Sequence, residues 1–224
     1  MTIAIVHYNT PQLTEAAIRS VRKHTPGCQF VVFDNSDKSP FMSEDSDITI
    51  IDNTKGQIVD FDKMLSHYPK RETDKRNRSN FGSAKHCKSV DVLMDMLPDG
   101  FILMDSDVLV TRDISDLVCG ASVCGKERVK EGVSLFLPYL CWLNVPLLRL
   151  YHIHYFNGEK MWALSDTYPN NRYDTGAWLY EEVNNKGLVY KRVDIMDYIV
   201  HFGHGSWRNR DASDWLNAYK FLYE

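Results

Sequence analysis

The sequence predicts an α/β protein organised on a mainly parallel β-sheet with helices against its faces. Three observations point there. Short apolar runs rich in β-branched residues recur through the first half, each running into aspartate or asparagine. Segments with apolar residues at helical spacing lie between them. One run, Phe101-Ile-Leu-Met104, is apolar at four consecutive positions, as suits a strand buried on both faces.

The elements follow in order. Thr2-Ile-Ala-Ile-Val-His-Tyr8 is the opening strand. Asn9-Thr10-Pro11 starts a helix, with Thr10 as N-cap and Pro11 at the first helical position, where its missing N–H is not needed. Leu13, Ala16, Ala17 and Val21 keep the helical period, and Lys23-His24 put cations at the negative end of the helix dipole. After Pro26-Gly27, Gln29–Phe33 is a second strand that runs into Asp34-Asn35, completing a βαβ unit of a parallel sheet. Ile48–Ile51 is a third strand, closing on Asp52-Asn53.

Residues 68–78 are hydrophilic, with Lys70, Arg71, Lys75, Arg76 and Arg78 interleaved with Glu72 and Asp74, and read as a solvated loop or helix face. Ser83 is the expected cap of a helix whose buried stripe is Val90, Leu93, Met94 and Leu97. Pro98-Asp99-Gly100 then leads into the strand that carries Asp105-Ser-Asp107 and resumes as Val108-Leu-Val110.

Beyond Thr111 the pattern loosens. Val133–Leu137 and Tyr139–Leu143 are apolar enough for strands or core segments. Tyr151-His-Ile-His154 sets two histidines at strand spacing, a pair that packing or surface explains better than a metal. Arg172-Tyr-Asp174-Thr-Gly176 leads to a helix over Ala177–Lys186, with Gly187 as its C′ residue. His201-Phe-Gly-His204-Gly-Ser-Trp207-Arg208 reads as a loop whose glycines bring backbone close to a ligand.

Composition narrows the class. The 224 residues are 44% apolar and 25% charged, ordinary for a protein with a sizeable core. A net charge of −4 argues against a general nucleic-acid binder. No apolar run approaches the roughly 20 residues that span a bilayer, and the first residues lack the basic start of a signal peptide. Five scattered cysteines, an odd number, point to a reduced, cytoplasmic chain. Cys119 and Cys124 have a spacing that zinc sites sometimes use, but no second pair is nearby.

Asp-x-Asp occurs three times, at Asp45/Asp47, Asp60/Asp62 and Asp105/Asp107, so the pattern alone carries little. Asp45/Asp47 lies in a polar run and Asp60/Asp62 has no strand leading into it, whereas Asp105/Asp107 follows a buried one. In open α/β sheets, ligands bind at the carboxyl ends of the strands. Carboxylates there must be paired or metal-bound, and a divalent cation bridging a phosphate-bearing ligand is the natural partner. With His201 as a further ligand, an imidazole beside carboxylates favours Mn²⁺ over Mg²⁺.

Taken together, Ile5-Val-His-Tyr-Asn-Thr10, Val31-Val-Phe-Asp-Asn-Ser36, Asn80-Phe-Gly-Ser-Ala-Lys-His86 and Met104-Asp-Ser-Asp107 resemble a glycosyltransferase of the GT-A fold, closest to the family 2-like bacterial enzymes. The resemblance covers about the first 115 residues. It implies a Rossmann-like sheet in one domain over 1–224, with a nucleotide-sugar-binding half (1–115) and an acceptor-binding half with a metal-closing loop (116–224). It implies that Asp34 binds the nucleotide base, that Tyr8, Asn9 and Thr10 lie near base and ribose, and that Lys85 lies near the diphosphate. Asp105 contacts ribose or metal with Ser106 beside it, Asp107 ligates Mn²⁺ or Mg²⁺, and His201 completes the site, with His204 as second choice and Trp207 on the donor side. Lys85 and His86 stand where the family usually has arginine and asparagine.

The family's Glu-Asp base motif aligns with Thr175-Gly176, so Asp174, just before it, is the candidate general base. Its competing role is to cap the helix. The implied activity is metal-dependent transfer from a nucleotide-diphosphate sugar, a UDP-sugar first, to a glycan or lipid-linked glycan in bacterial polysaccharide biosynthesis. The family 2 likeness implies inversion, while the histidine-glycine-tryptophan element at His201–Trp207 also resembles retaining enzymes. Contact with the inner face of the membrane is compatible with it.

Three other readings fit the sequence less well. A sugar nucleotidyltransferase would need a glycine-rich, arginine-containing loop after the first strand, and Tyr8-Asn-Thr-Pro11 has no glycine. A nucleotide-sugar-binding protein without turnover fits intact donor residues beside an atypical base. A metallohydrolase using His152, His154, His201 and His204 lacks a recognised ligand spacing.

Overall fold

The computed structural model describes residues 1–56, 58–59, 75–130, 132–158, 160, 173–203 and 211–224. Chain order is β1 (Thr2–His7), α1 (Pro11–His24), β2 (Gln29–Asp34), β3 (Ile48–Asp52), α2 (Lys75–Met96), β4 (Phe101–Asp105), β5 (Val108–Val110) and β6 (Val123–Gly125). It continues with β7 (Glu127–Lys130), β8 (Val133–Phe136), β9 (Leu140–Leu143), α3 (Val145–Leu150), α4 (Ala177–Asn185), β10 (Lys191–Arg192), β11 (Ile199–His201) and α5 (Ser213–Ala218).

Seven strands form one sheet in the order β10-β6-β9-β4-β1-β2-β3. β3, β2, β1 and β4 are mutually parallel. β9 runs against both β4 and β6, and β10 is parallel to β6. Two antiparallel pairs, β5–β11 and β7–β8, stand apart from this sheet. From β1 the chain moves outward through β2 to β3, then returns to the other side of β1 as β4. The sheet therefore has a switch point between β1 and β4, the place where open α/β sheets bind ligands at their strands' carboxyl ends.

Alternation along these buried strands splits the core in two. Ile3, Ile5, Phe30, Val32, Ile102 and Met104 face Ala17, Ile18 and Val21 of α1. Ala4, Val6, Val31, Phe33, Phe101 and Leu103 face Ala84, Cys87, Val90, Leu93 and Met94 of α2. Both faces are covered, which explains strands that read as continuous apolar runs rather than alternating ones.

Local expectations fare unevenly. Thr10 occupies the N-cap position of α1 but its hydroxyl makes no cap hydrogen bond. Ser83 is not a cap at all: α2 begins at Lys75 and absorbs the end of the hydrophilic stretch, leaving Ser83 in the helix interior. The Tyr151–His154 stretch is a turn rather than a strand, with His152 at φ +54° and both histidines exposed around buried Ile153. Gly187 does end α4 with a left-handed φ of +65°. Its N–H bonds Asn184 O and the Leu188 N–H bonds Val183 O, the two reverse bonds that satisfy the last carbonyls of a helix. All five cysteines are free thiols. Among the described residues, no helix is long and apolar enough to cross a membrane.

Candidate functional site

The strand expected to carry Asp105-Ser-Asp107 throughout is broken by it. β4 ends at Asp105, the chain turns through Ser106 and Asp107, and β5 begins in a different sheet. The break is dictated by pairing: the Asp105 N–H bonds Tyr139 O at 3.2 Å where the β9 ladder runs out, while Val108–Val110 find a partner only in β11. That partner brings His201, directly opposite Val108, from the far end of the chain. The Phe202 N–H, donating to Asp107 O at 2.9 Å, extends the ladder past it. His201 thus ends a strand and does not sit in the loop that its glycine neighbours predict.

His201 Nε2 lies 3.2 Å from Asp107 Oδ1. Asp105, Asp107 and His201 each offer one ligand atom, all within 4.8 Å of one another. Asp107 is buried, the other two half-buried. Burial, then the Asp107 charge, pushes the Asp105 carboxyl up to about 7. Burial lowers the His201 pKa, but the Asp107 hydrogen bond and the two carboxylate charges carry it above the ordinary value. Two carboxylates this close cannot both ionise comfortably without a cation. The donor set, two hard oxygens and one imidazole nitrogen, suits a divalent cation. The Tyr139 ring covers His201, ring centroids 3.9 Å apart.

The tip of β1 faces this group. Thr10 Oγ1 is 3.2 Å from Ser106 Oγ, joining the two strand ends at the switch point. Asn9 holds a left-handed φ of +57°. Its Oδ1 accepts from the Lys38 and Ser39 N–H groups, both at 3.0 Å, and its own N–H donates to Ser36 Oγ at 2.9 Å. Asp34 is buried, and its two oxygens accept from the Ser36 and Phe41 N–H groups at 2.8 Å each. These contacts shape the loop after β2. Lys85 Nζ stands 5.8 Å from the centroid of the part-exposed Tyr8 ring. Burial lowers the Lys85 pKa and Asp37 partly offsets this. Burial also takes His86 down to about 4, so it is neutral at pH 7.

Asp174 sits in the turn before α4. It accepts from Ser83 Oγ at 2.7 Å, Lys130 Nζ at 2.6 Å and the Thr175 N–H at 2.8 Å. Burial raises its carboxyl, but Lys130 and the two other donors hold it below the usual carboxylate range. Its side chain does not cap α4, whose N-cap position is Gly176 at φ +83°. A Cβ on Gly176 would lie 2.0 Å from Phe136 O, so β8 and this turn pack backbone against backbone.

Lys130 and Tyr139 carry no signal in the sequence; only their place in the topology brings them to the site. His204 and Trp207 lie outside the described residues, as do Asp60 and Asp62. The rival Asp45/Asp47 pair is occupied by Arg22, whose guanidinium lies 2.8 Å from Asp45 and 2.6 Å from Asp47. Among the described residues, the grouped metal-type ligands include neither His152 and His154 nor the Cys119/Cys124 pair.

No protein-family model matches the chain, and no curated protein matches it. Solved structures do. A galactosyltransferase, LgtC, in complex with donor and acceptor sugar analogues, is similar at TM-score 0.50 and 14% identity over 87% of this chain and 74% of that one. The glycosyltransferase GlyE of Streptococcus pneumoniae TIGR4 is similar at TM-score 0.50 and 12% identity, over 99% of this chain and 51% of that one. At such identities the likeness is one of architecture, and the architecture is that of the GT-A glycosyltransferases.

Proposed function

We propose that this chain is a metal-dependent glycosyltransferase. It moves a sugar from a nucleoside-diphosphate sugar, a UDP-sugar in the first instance, to a hydroxyl of a glycan or lipid-linked glycan. The observation that carries the reading is the convergence of Asp105, Asp107 and His201 at the sheet's switch point, beside the turn at Tyr8–Thr10.

Asp107 and His201 are the metal ligands and Asp105 their helper, for Mn²⁺ or Mg²⁺. When bound, such an ion neutralises charge developing on a departing diphosphate. The Thr10 and Ser106 hydroxyls offer hydrogen bonds to ribose or phosphate oxygens. Asn9 and Asp34 hold the loop that borders the base, Tyr8 lends its ring and Lys85 brings its ammonium toward the phosphates; a donor-binding role for Trp207 rests on the sequence resemblance alone. Residues 1–115 form the donor half and 116–224 the acceptor half of one domain. Asp174 is the base that takes the acceptor proton during in-line, inverting attack. Its ion pair with Lys130 must open first, because a carboxylate held below its usual range is a weak base. The finer assignment, to a family 2-like bacterial enzyme of polysaccharide synthesis, rests on the four sequence motifs, and its place in the cytoplasm at the inner membrane face on the cysteine usage together with that resemblance.

A second reading is a nucleotide-sugar-binding protein without turnover. The observation in its favour is Asp174 itself, engaged by three donors at once.

A screen of nucleotide sugars by thermal shift, with and without Mn²⁺, tests both. A donor that binds the native state alone at 100 times its Kd stabilises it by about 2.7 kcal/mol. One nucleotide sugar should raise the melting temperature only when Mn²⁺ is present, and the rise should vanish in Asp107→Ala. If no donor shifts the transition and Asp107→Ala changes nothing, the transferase reading fails. Binding with no release of nucleoside diphosphate, whatever the acceptor, selects the second reading.

A further inference from the structure

We infer that the aromatic segment from Trp215 to Leu222 is a positioning element for the metal site: it clamps β11 onto β5 and so keeps His201 within reach of Asp107. The inference rests on the metal reading above and assigns the segment's role in it.

The β5–β11 ladder has three residue pairs. A two-stranded pair of this size is marginal by itself and needs packing on its faces. Val108, Val110 and Ile199 point into the main core. The directly opposed pair Leu109 and Val200 points the other way. There it meets Trp215, Leu216, Tyr219, Leu222 and Tyr223, together with Ala16 of α1. This cover is complete at Leu109, which is 0% exposed.

The clamp reaches the residue next to the ligand. The Phe202 ring lies 5.2 Å from that of Trp215, which lies 5.4 Å from that of Tyr219. Lys23 Nζ donates to Phe221 O at 2.7 Å, fixing the segment to the end of α1. Asp105 and Asp107 are held in place by the central sheet through β4. His201 is joined to them through the short ladder, the Phe202 N–H bond to Asp107 O and the Tyr139 ring. Loosening the clamp therefore frees β11 with His201, while Asp105 stays with β4 and β5 stays tied to α1 through the Val110 N–H bond to Ser20 Oγ at 2.9 Å.

Calorimetric titration of Mn²⁺ into the full chain tests this without any turnover. The set is wild type, Trp215→Ala, His201→Ala and the double variant. Trp215→Ala should weaken Mn²⁺ binding about tenfold, the low end of the effect of removing a group that orients a metal ligand. In the His201→Ala background it should change nothing, because the ligand it positions is gone. Trp215→Phe should bind close to wild type. Undiminished binding in Trp215→Ala, or an equal loss in both backgrounds, overturns the inference. If circular dichroism shows Trp215→Ala unfolded, Leu222→Ala takes its place in the same cycle, with the same outcomes deciding. A folded wild-type chain that takes up no Mn²⁺ overturns the metal site itself, a failure visible before any variant is made.

Discussion

Lys130 sets its ammonium 2.6 Å from one carboxylate oxygen of Asp174, while the other oxygen accepts from Ser83 at 2.7 Å. The β7–β8 hairpin, the interior of α2 and the turn before α4 thus meet on one side chain. Burial raises that carboxyl, and Lys130, Ser83 and the Thr175 N–H together more than compensate, leaving its folded pKa depressed. A depressed folded pKa gives stability that is present above the unfolded value of about 3.9 and lost as pH falls through the folded one. Lys130→Ala should raise the Asp174 pKa and start acid unfolding at higher pH. Lys130 is 41% exposed, so solvent screens the pair. The loss at pH 7 should be about 1 kcal/mol, read by urea denaturation. Asp174→Asn should abolish transfer and leave donor binding intact; unchanged turnover would move the base elsewhere.

The metal site makes an opposite pH prediction. Burial and Asp107 hold Asp105 up to about 7, and Asp107 holds His201 above its ordinary value despite burial. Groups with raised folded pKa values bind protons more tightly in the native state. Their contribution is complete below the unfolded values and fades as pH rises through the folded ones. The metal-free chain should therefore lose stability as pH climbs through about 7. Mn²⁺ needs both ligands deprotonated, so its affinity should rise over the same interval and proton release should accompany binding. Melting temperature against pH, with EDTA and with Mn²⁺, should give curves that separate as pH climbs through about 7. Parallel curves would show that these groups do not take up the ion.

Gly176 is needed for its conformation and for its missing side chain. At φ +83°, with Phe136 O 2.0 Å from where a Cβ would sit, alanine is strained and has no room. The obstacle is backbone, which cannot rotate away. Gly176→Ala should cost about 3 kcal/mol, combining left-handed strain with overpacking. It should also shift Asp174, two residues earlier. Urea denaturation gives the first quantity, and donor turnover per folded molecule reads the second.

The first half of the fold was legible because its strands are buried on both faces. Ile3–Ile5 and Phe101–Met104 must be apolar throughout, and such runs stand out in a sequence. The second half was not, since β6, β8, β10 and β11 span two to four residues each, too few for periodicity to register. Asp105 and Asp107 could be picked from three look-alikes by the strand delivering them. Their geometry could not, because the turn at Ser106 depends on β11, which lies about 90 residues further along the chain. Ser83 shows the same limit. It looked like a cap, and its partner is an aspartate whose approach is decided by tertiary packing.

Asn9 offers a last test, separating conformation from contact. Its left-handed φ of +57° is one asparagine tolerates better than most residues, and its Oδ1 gathers two N–H groups of the loop after β2. Asn9→Gly keeps the conformation and loses these two bonds and the one that Nδ2 donates to Asp37 Oδ1, which should cost about 1–2 kcal/mol. Asn9→Ala loses the bonds and adds left-handed strain, for about 1 kcal/mol more. Equal losses in the two variants would mean that the backbone relaxes and the strain is absent. Because the loop borders the proposed base site while the metal ligands belong to other strands, both variants should weaken nucleotide-sugar binding. Mn²⁺ binding alone, followed by calorimetry, should stay at the wild-type value.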